Sequence, residues 1–183
     1  AGLPHNTSNG LRLLEEMQTV ITELAEAAKP SVVSLFPISL TGKGREFTPE
    51  RVPNAPGSGA GVIITPDGHI ITNNHVVGDA AEIEVRLSDK SKLIAQVVGK
   101  DPDTDLAVLK VTSDHPLPNP RFRDSTTVRV GQWVLAVGNP FGLERTVTLG
   151  VVSGIGRENV NLSRYENFIQ THPPVNPRKS AGP

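Results

Sequence analysis

Hydrophobic positions along this chain change their period once. Over residues 9–29 the apolar side chains Leu14, Met17, Ile21, Leu24 and Ala28 recur at helical spacing. Ser8 or Asn9 is placed to cap the start, residues 1–8 read as a loose terminus, and Pro30 cannot continue the helix. Such a helix either packs on the domain that follows or serves contacts between subunits. After Pro30 the apolar residues come in short β-rich runs: 31–36, 61–65, 69–73, 82–87, 93–98, 106–111, 133–137, 146–153 and 168–171. Residues 37–57, rich in Pro, Gly and charge, read as a long exposed loop. Pro66-Asp67-Gly68 is a hairpin signal, because glycine supplies positive φ without steric cost. Many short strands with no helices between them predict an all-β fold of antiparallel barrels or a sandwich. Residues 113–127, with Pro116, Pro118 and Pro120, separate two groups of strands.

Composition narrows the chemistry. The 183 residues suffice for one substantial domain or two small barrels sharing a core. A net charge of −1 gives no reason to expect nucleic acid or an anionic membrane as partner. No apolar run approaches the roughly 18 residues of a membrane span. The opening Ala1-Gly2-Leu3-Pro4-His5 lacks the basic region and apolar core of a signal peptide, as a processed, exported protein also would. The absence of cysteine excludes disulfides, thiolate metal sites and a cysteine nucleophile. Asp101, Asp103 and Asp105 imitate a calcium loop, but Leu106 takes the glycine position and Thr112 that of the bidentate glutamate. Gly57, Gly59 and Gly61 are followed by neither the Lys-Ser/Thr pair nor the helix of a phosphate loop. Their expected role is to let a strand start close to neighbouring backbone. Neither a metal nor a cofactor is expected.

Hydrolysis by a serine nucleophile needs a base to take the hydroxyl proton and a carboxylate to orient that base. His75 ends a strand in Thr72-Asn73-Asn74-His75-Val76-Val77, and Asp105 starts one in Asp105-Leu106-Ala107-Val108-Leu109-Lys110. Ser180 lies in the last loop, Asn176-Pro177-Arg178-Lys179-Ser180-Ala181-Gly182-Pro183. The order His, Asp, Ser is that of the chymotrypsin-type arrangement. His5, His69 and His115 sit in terminal or turn contexts and read as solvated.

The words around these residues carry a resemblance. Gly57-Ser58-Gly59-Ala60-Gly61-Val62, the segments around His75 and Asp105, Val130-Gly131-Gln132-Trp133-Val134, Gly138-Asn139-Pro140-Phe141-Gly142-Leu143, and Phe168-Ile169-Gln170-Thr171 followed by Asn176 and Ser180 resemble the HtrA (Do-type) serine proteases. The match runs over roughly residues 31–183 and is closest to the bacterial branch. It implies a chymotrypsin-like double antiparallel β-barrel with an N-terminal helix: residues 1–30 with the helix, 31–112 a first barrel carrying His75 and Asp105, 113–127 a connection, and 128–183 a second barrel carrying Ser180. His75 would be the general base, Asp105 its orienting partner and Ser180 the nucleophile. The backbone N–H groups of Arg178 and Ser180 would form the oxyanion hole. Further implications are a periplasmic location, a role in protein quality control and the stress response, unfolded or misfolded polypeptide as substrate, and a homo-oligomer built from trimers. The family's one or two PDZ domains are not expected within these residues. The strands that complete the family's second barrel fall after Pro183, so that barrel is expected to be incomplete.

His172 stands where the family commonly has an acidic residue, and reads as a substitution and not a second base. The nucleophile loop departs from the family's Gly-Asn-Ser-Gly-Gly-Pro at three positions, Arg178, Lys179 and Ala181. A glycine-type backbone there costs a residue with a side chain about 1–3 kcal/mol. Losing one oxyanion donor costs on the order of 10²–10³ in turnover in a well-studied protease. An endopeptidase, a protease-shaped scaffold that binds unfolded polypeptide as a chaperone, and an incomplete product without independent function therefore all stay open.

Overall fold

The computed structural model describes residues 5–38, 40–41, 44–45, 59–138, 146–157 and 168–172. Helix α1 (His5–Ala28) leads through a 3₁₀ turn (Lys29–Ser31) into strands β1 (Val32–Ile38), β2 (Leu40–Thr41), β3 (Gly44–Arg45), β4 (Gly59–Ile63) and β5 (His69–Asn73). The one-turn helix α2 (Asn74–Val77) follows, then β6 (Glu82–Arg86), β7 (Lys92–Asp101) and β8 (Leu106–Val111). After a second 3₁₀ turn (Ser125–Thr127) come β9 (Trp133–Gly138), β10 (Thr146–Arg157) and β11 (Phe168–Thr171).

Strands β1, β4, β5, β8, β7 and β6 close into an antiparallel barrel in that order. Alternation drives the closure: along β8 Ala107, Leu109 and Val111 point inward, whereas Leu106, Val108 and Lys110 do not. Val33, Leu35, Ile63, Ile70, Ile83, Val85 and Leu109 fill the interior. Each such side chain contributes roughly 1.5–3 kcal/mol by leaving water. The β4–β5 hairpin turns at Gly68, whose φ is +100°. A methyl group there would lie 2.6 Å from the carbonyl oxygen of Val111, so both space and backbone require glycine. Leu117 from the Pro-rich connection plugs the barrel, its N–H donating to Pro66 O at 2.9 Å.

The second sheet has three described strands, in the order β11-β10-β9. Trp133, Leu149, Val151, Ile155 and Ile169 stay exposed on it. Together with Leu13, Met17, Val20 and Leu24 of α1, Trp133, Leu135 and Leu149 line a groove of about 360 Å³.

The structure corrects several sequence expectations. Ser8 and Asn9 lie within α1, which begins at His5, so neither caps its start. The stripe of α1 that loses water is Met17, Ile21, Ala25 and Ala28, while Leu14 and Leu24 are exposed. A short strand pair, Leu40↔Arg45 and Thr41↔Gly44, interrupts the expected 37–57 loop. Helix α2 breaks the expectation of strands without helices between them. No helix among the described residues is long and apolar enough to cross a membrane.

Candidate active site

His75 does not end a strand. It sits on α2, the single turn that follows β5, and Val76 and Val77 beside it anchor that turn in the barrel core. Gly59 makes the seat: a methyl group at this position would lie 2.5 Å from Val76 Cγ2. At Gly59 the close approach is to a side chain, whereas at Gly61 it includes the backbone the sequence suggested, the Ile71 carbonyl oxygen at 3.2 Å from such a methyl. Asp105 occupies the turn just before β8, in the left-handed region at φ +57°. Aspartate tolerates that conformation better than most residues. The turn lets the Asp105 carbonyl accept the Asn74 N–H at 2.9 Å, which ties α2 to the start of β8.

The two side chains meet. His75 Nδ1 lies 2.7 Å from Asp105 Oδ2, and the backbone N–H of His75 donates to Oδ1 at 2.9 Å. Asn73 adds its amide, 3.3 Å from Oδ2. An ionised carboxylate only accepts, so the ring proton sits on Nδ1 and the Nε2 lone pair is left to act as a base. Burial alone would raise the Asp105 carboxyl. The N–H and ring of His75, its charge and the Asn73 amide outweigh burial and hold the group below the usual carboxylate range. The His75 side chain is 59% exposed and that of Asp105 36%, so the imidazole faces solvent while the carboxylate is largely covered.

The trypsin-like peptidase domain model matches residues 59–183, more than half of the chain. The chain belongs to that family, as an HtrA-type domain. It is 50% identical over 125 residues to a probable periplasmic serine endoprotease DegP-like of Chlamydia pneumoniae, an alignment spanning 68% of this chain and 25% of that one. A protein of the same description from Pseudomonas fulva (strain 12-X) is 42% identical over 194 residues, spanning 88% of this chain and 40% of the relative. The chain thus spans a quarter to two fifths of the length of these relatives. Among solved structures, the HtrA-type protease AlgW with tripeptide superposes with a TM-score of 0.73 at 38% identity, over 88% of this chain and 49% of that one. AlgW with decapeptide gives 0.72 at 36% identity, over 88% and 54%.

In this HtrA-type domain the sequence-derived His75 and Asp105 come together from segments 30 residues apart. Ser180 and Arg178, the expected nucleophile and oxyanion residue, lie outside the described residues. Sequence reasoning missed Asn73, which holds both the carboxylate and the carbonyl of Asp105, the latter at 3.4 Å. Its signal was the pair Asn73-Asn74 directly before the histidine, in a stretch that had been read only as strand. No group of three or more His, Cys, Asp or Glu among the described residues is arranged to hold a metal ion.

Proposed function

We propose that this chain carries the peptidase unit of an HtrA-type serine endopeptidase, with Ser180 as nucleophile, His75 as general base and Asp105 as its orienting partner. The observation that carries the reading is the 2.7 Å bond between His75 Nδ1 and Asp105 Oδ2, which leaves Nε2 free as a proton acceptor. In the reaction Nε2 takes the Ser180 hydroxyl proton as Oγ attacks the scissile carbonyl carbon. The amides of Arg178 and Ser180 receive the oxyanion, and the imidazolium returns the proton to the leaving amine. Water then enters along the same path and releases the acyl group from Ser180. The first β unit, residues 31–112, carries the base and its partner. Residues 113–127 connect it to 128–183, which carry the nucleophile.

The names of the relatives favour a periplasmic location, and the family resemblance favours unfolded or misfolded polypeptide as substrate, in protein quality control and the stress response. The family resemblance favours assembly into a trimer-based homo-oligomer, and the exposed Leu11, Leu13, Leu14 and Leu24 of α1 suit contacts between subunits. Incubation with unfolded casein tests the reading: the wild-type chain cleaves it and Ser180→Ala does not. Equal cleavage by both would refute the assignment.

Arg178, Lys179 and Ala181 around the serine favour a second reading, a protease-like scaffold that binds unfolded chains as a chaperone. It predicts suppression of client aggregation that is unchanged in Ser180→Ala, without cleavage by either protein.

A further inference from the structure

Strand β11 is the last described element before the segment that leads to Ser180, and its pairing with β10 is irregular. Val152 faces Thr171 and Gly154 faces Gln170, so Ser153 is an extra residue, a bulge on β10. A second shift follows between Gly154 and Arg157. Each shift leaves a residue of β10 without a ladder partner, and a slip of one residue would turn every side chain of β11 to the other face.

Two side chains compensate. The Ser153 hydroxyl lies 3.2 Å from the carbonyl oxygen of Gln170, which can only accept, so Ser153 donates its single proton there. His172 Nδ1 lies 3.0 Å from the same Oγ. For both bonds to form together, the ring is the donor, through Nδ1–H. The backbone N–H of His172 donates to Val151 O at 2.9 Å, so the same residue is tied to the bulge and to the strand just before it. On the opposite edge of β10, Gly131 N–H donates to Val152 O at 2.8 Å and Val152 N–H to Gln132 O at 2.9 Å. The bulged strand is therefore held from both sides, and the ring of His172 closes the chain of bonds at the point where β11 ends.

The geometry points to Ser153 and His172 as a register clamp on β11, with His172 a positioning residue for the segment that carries Ser180. The clamp itself follows from the hydrogen bonds; its effect on turnover rests on Ser180 being the nucleophile. The nitrogen that carries the proton in the neutral ring is set by the bond the ring makes. The clamp requires Nδ1–H, whereas a solvated histidine favours Nε2–H.

The test combines ¹⁵N shifts of the His172 ring at alkaline pH, amide exchange at residues 170–172, and peptide-cleavage kinetics of the wild type, Ser153→Ala, His172→Ala and His172→Asn. The Nδ1–H form should dominate in the wild-type ring. Exchange should run about three- to ten-fold faster in His172→Ala and in Ser153→Ala, the range for losing one such hydrogen bond. His172→Asn, which keeps a donor near the place of Nδ1, should restore it. In His172→Ala kcat should fall by a similar factor with KM unchanged. A dominant Nε2–H form, or exchange unaltered in His172→Ala, overturns the clamp. Unchanged kcat alongside faster exchange overturns the positioning role. A wild-type chain without Ser180-dependent cleavage overturns the catalytic reading instead, while tautomer and exchange still decide the clamp.

Discussion

The six-stranded barrel and the three described strands of the second sheet are built from the same kinds of residue but bury them to different extents. In the barrel every edge is paired, and Leu35, Ile63, Ile70, Ile83 and Leu109 are sealed from water. In the sheet Trp133 is 56% exposed and Leu149 44%. Val, Leu and Ile alone do not make a core; closure of the strands around them does. The proposed catalytic parts divide along the same line. The base and its carboxylate stand on the closed unit, held by backbone as well as side-chain bonds, whereas the serine follows the second sheet, whose last described strand pairs across a bulge.

The largest expected effect breaks the site on its rigid side. His75→Ala should lower Ser180-dependent turnover by on the order of 10⁶. Asp105→Asn, which leaves the ring in place but alters its tautomer, should lower it by on the order of 10⁴. Steady-state peptide cleavage measures both, and thermal melts check that the barrel survives. Cleavage that persists in His75→Ala at the wild-type rate would dismiss the assigned base.

One truncation made in both regions sharpens the structural contrast. Leu109→Ala, at a fully buried barrel position, should cost about 2–5 kcal/mol in urea unfolding. Leu149→Ala on the sheet should cost under about 1 kcal/mol. Equal losses would show that the sheet buries its apolar face as well as the barrel does. Gly68→Ala tests closure itself: positive φ and the nearby Val111 carbonyl should make it cost about 1–3 kcal/mol. An unchanged unfolding midpoint would mean that the β4–β5 turn has another conformation open to it.

The smallest effect concerns acid. Asp105 is held below the ordinary carboxylate value, so its bonds stabilise the fold above the unfolded value of about 3.9 and are lost as pH falls below it. Urea midpoints measured from neutral pH down through that value should fall more steeply for wild type than for Asp105→Asn. Parallel curves would mean that the His75–Asp105 pair adds nothing to the barrel.

Much of this organisation was legible in the sequence, for identifiable reasons. Short β-rich runs exposed β5 and β8, and the Pro-Asp-Gly turn fixed the hairpin of β4 with β5, because composition and turn chemistry are local. The start of α1 was not legible, because Asn6, Thr7, Ser8 and Asn9 all offer capping side chains. Helix α2 is too short to show a period, so His75 was placed on a strand. His75 and Asp105 were found because their order and flanking words carry the family. Asn73 was missed because its partner lies 32 residues away. The Ser153–His172 clamp was hidden for the same reason, since a bulge shows only when two strands are laid side by side.

The central claim, that the His75–Asp105 pair on the closed barrel activates Ser180, is met most directly by fluorophosphonate labelling followed by peptide mapping. The account predicts a single adduct on Ser180 in the wild-type chain, lost in Ser180→Ala and slowed to near background in His75→Ala. Labelling of Ser180 at the same rate with and without His75, or none in the wild type while an intact homologue reacts, would contradict it.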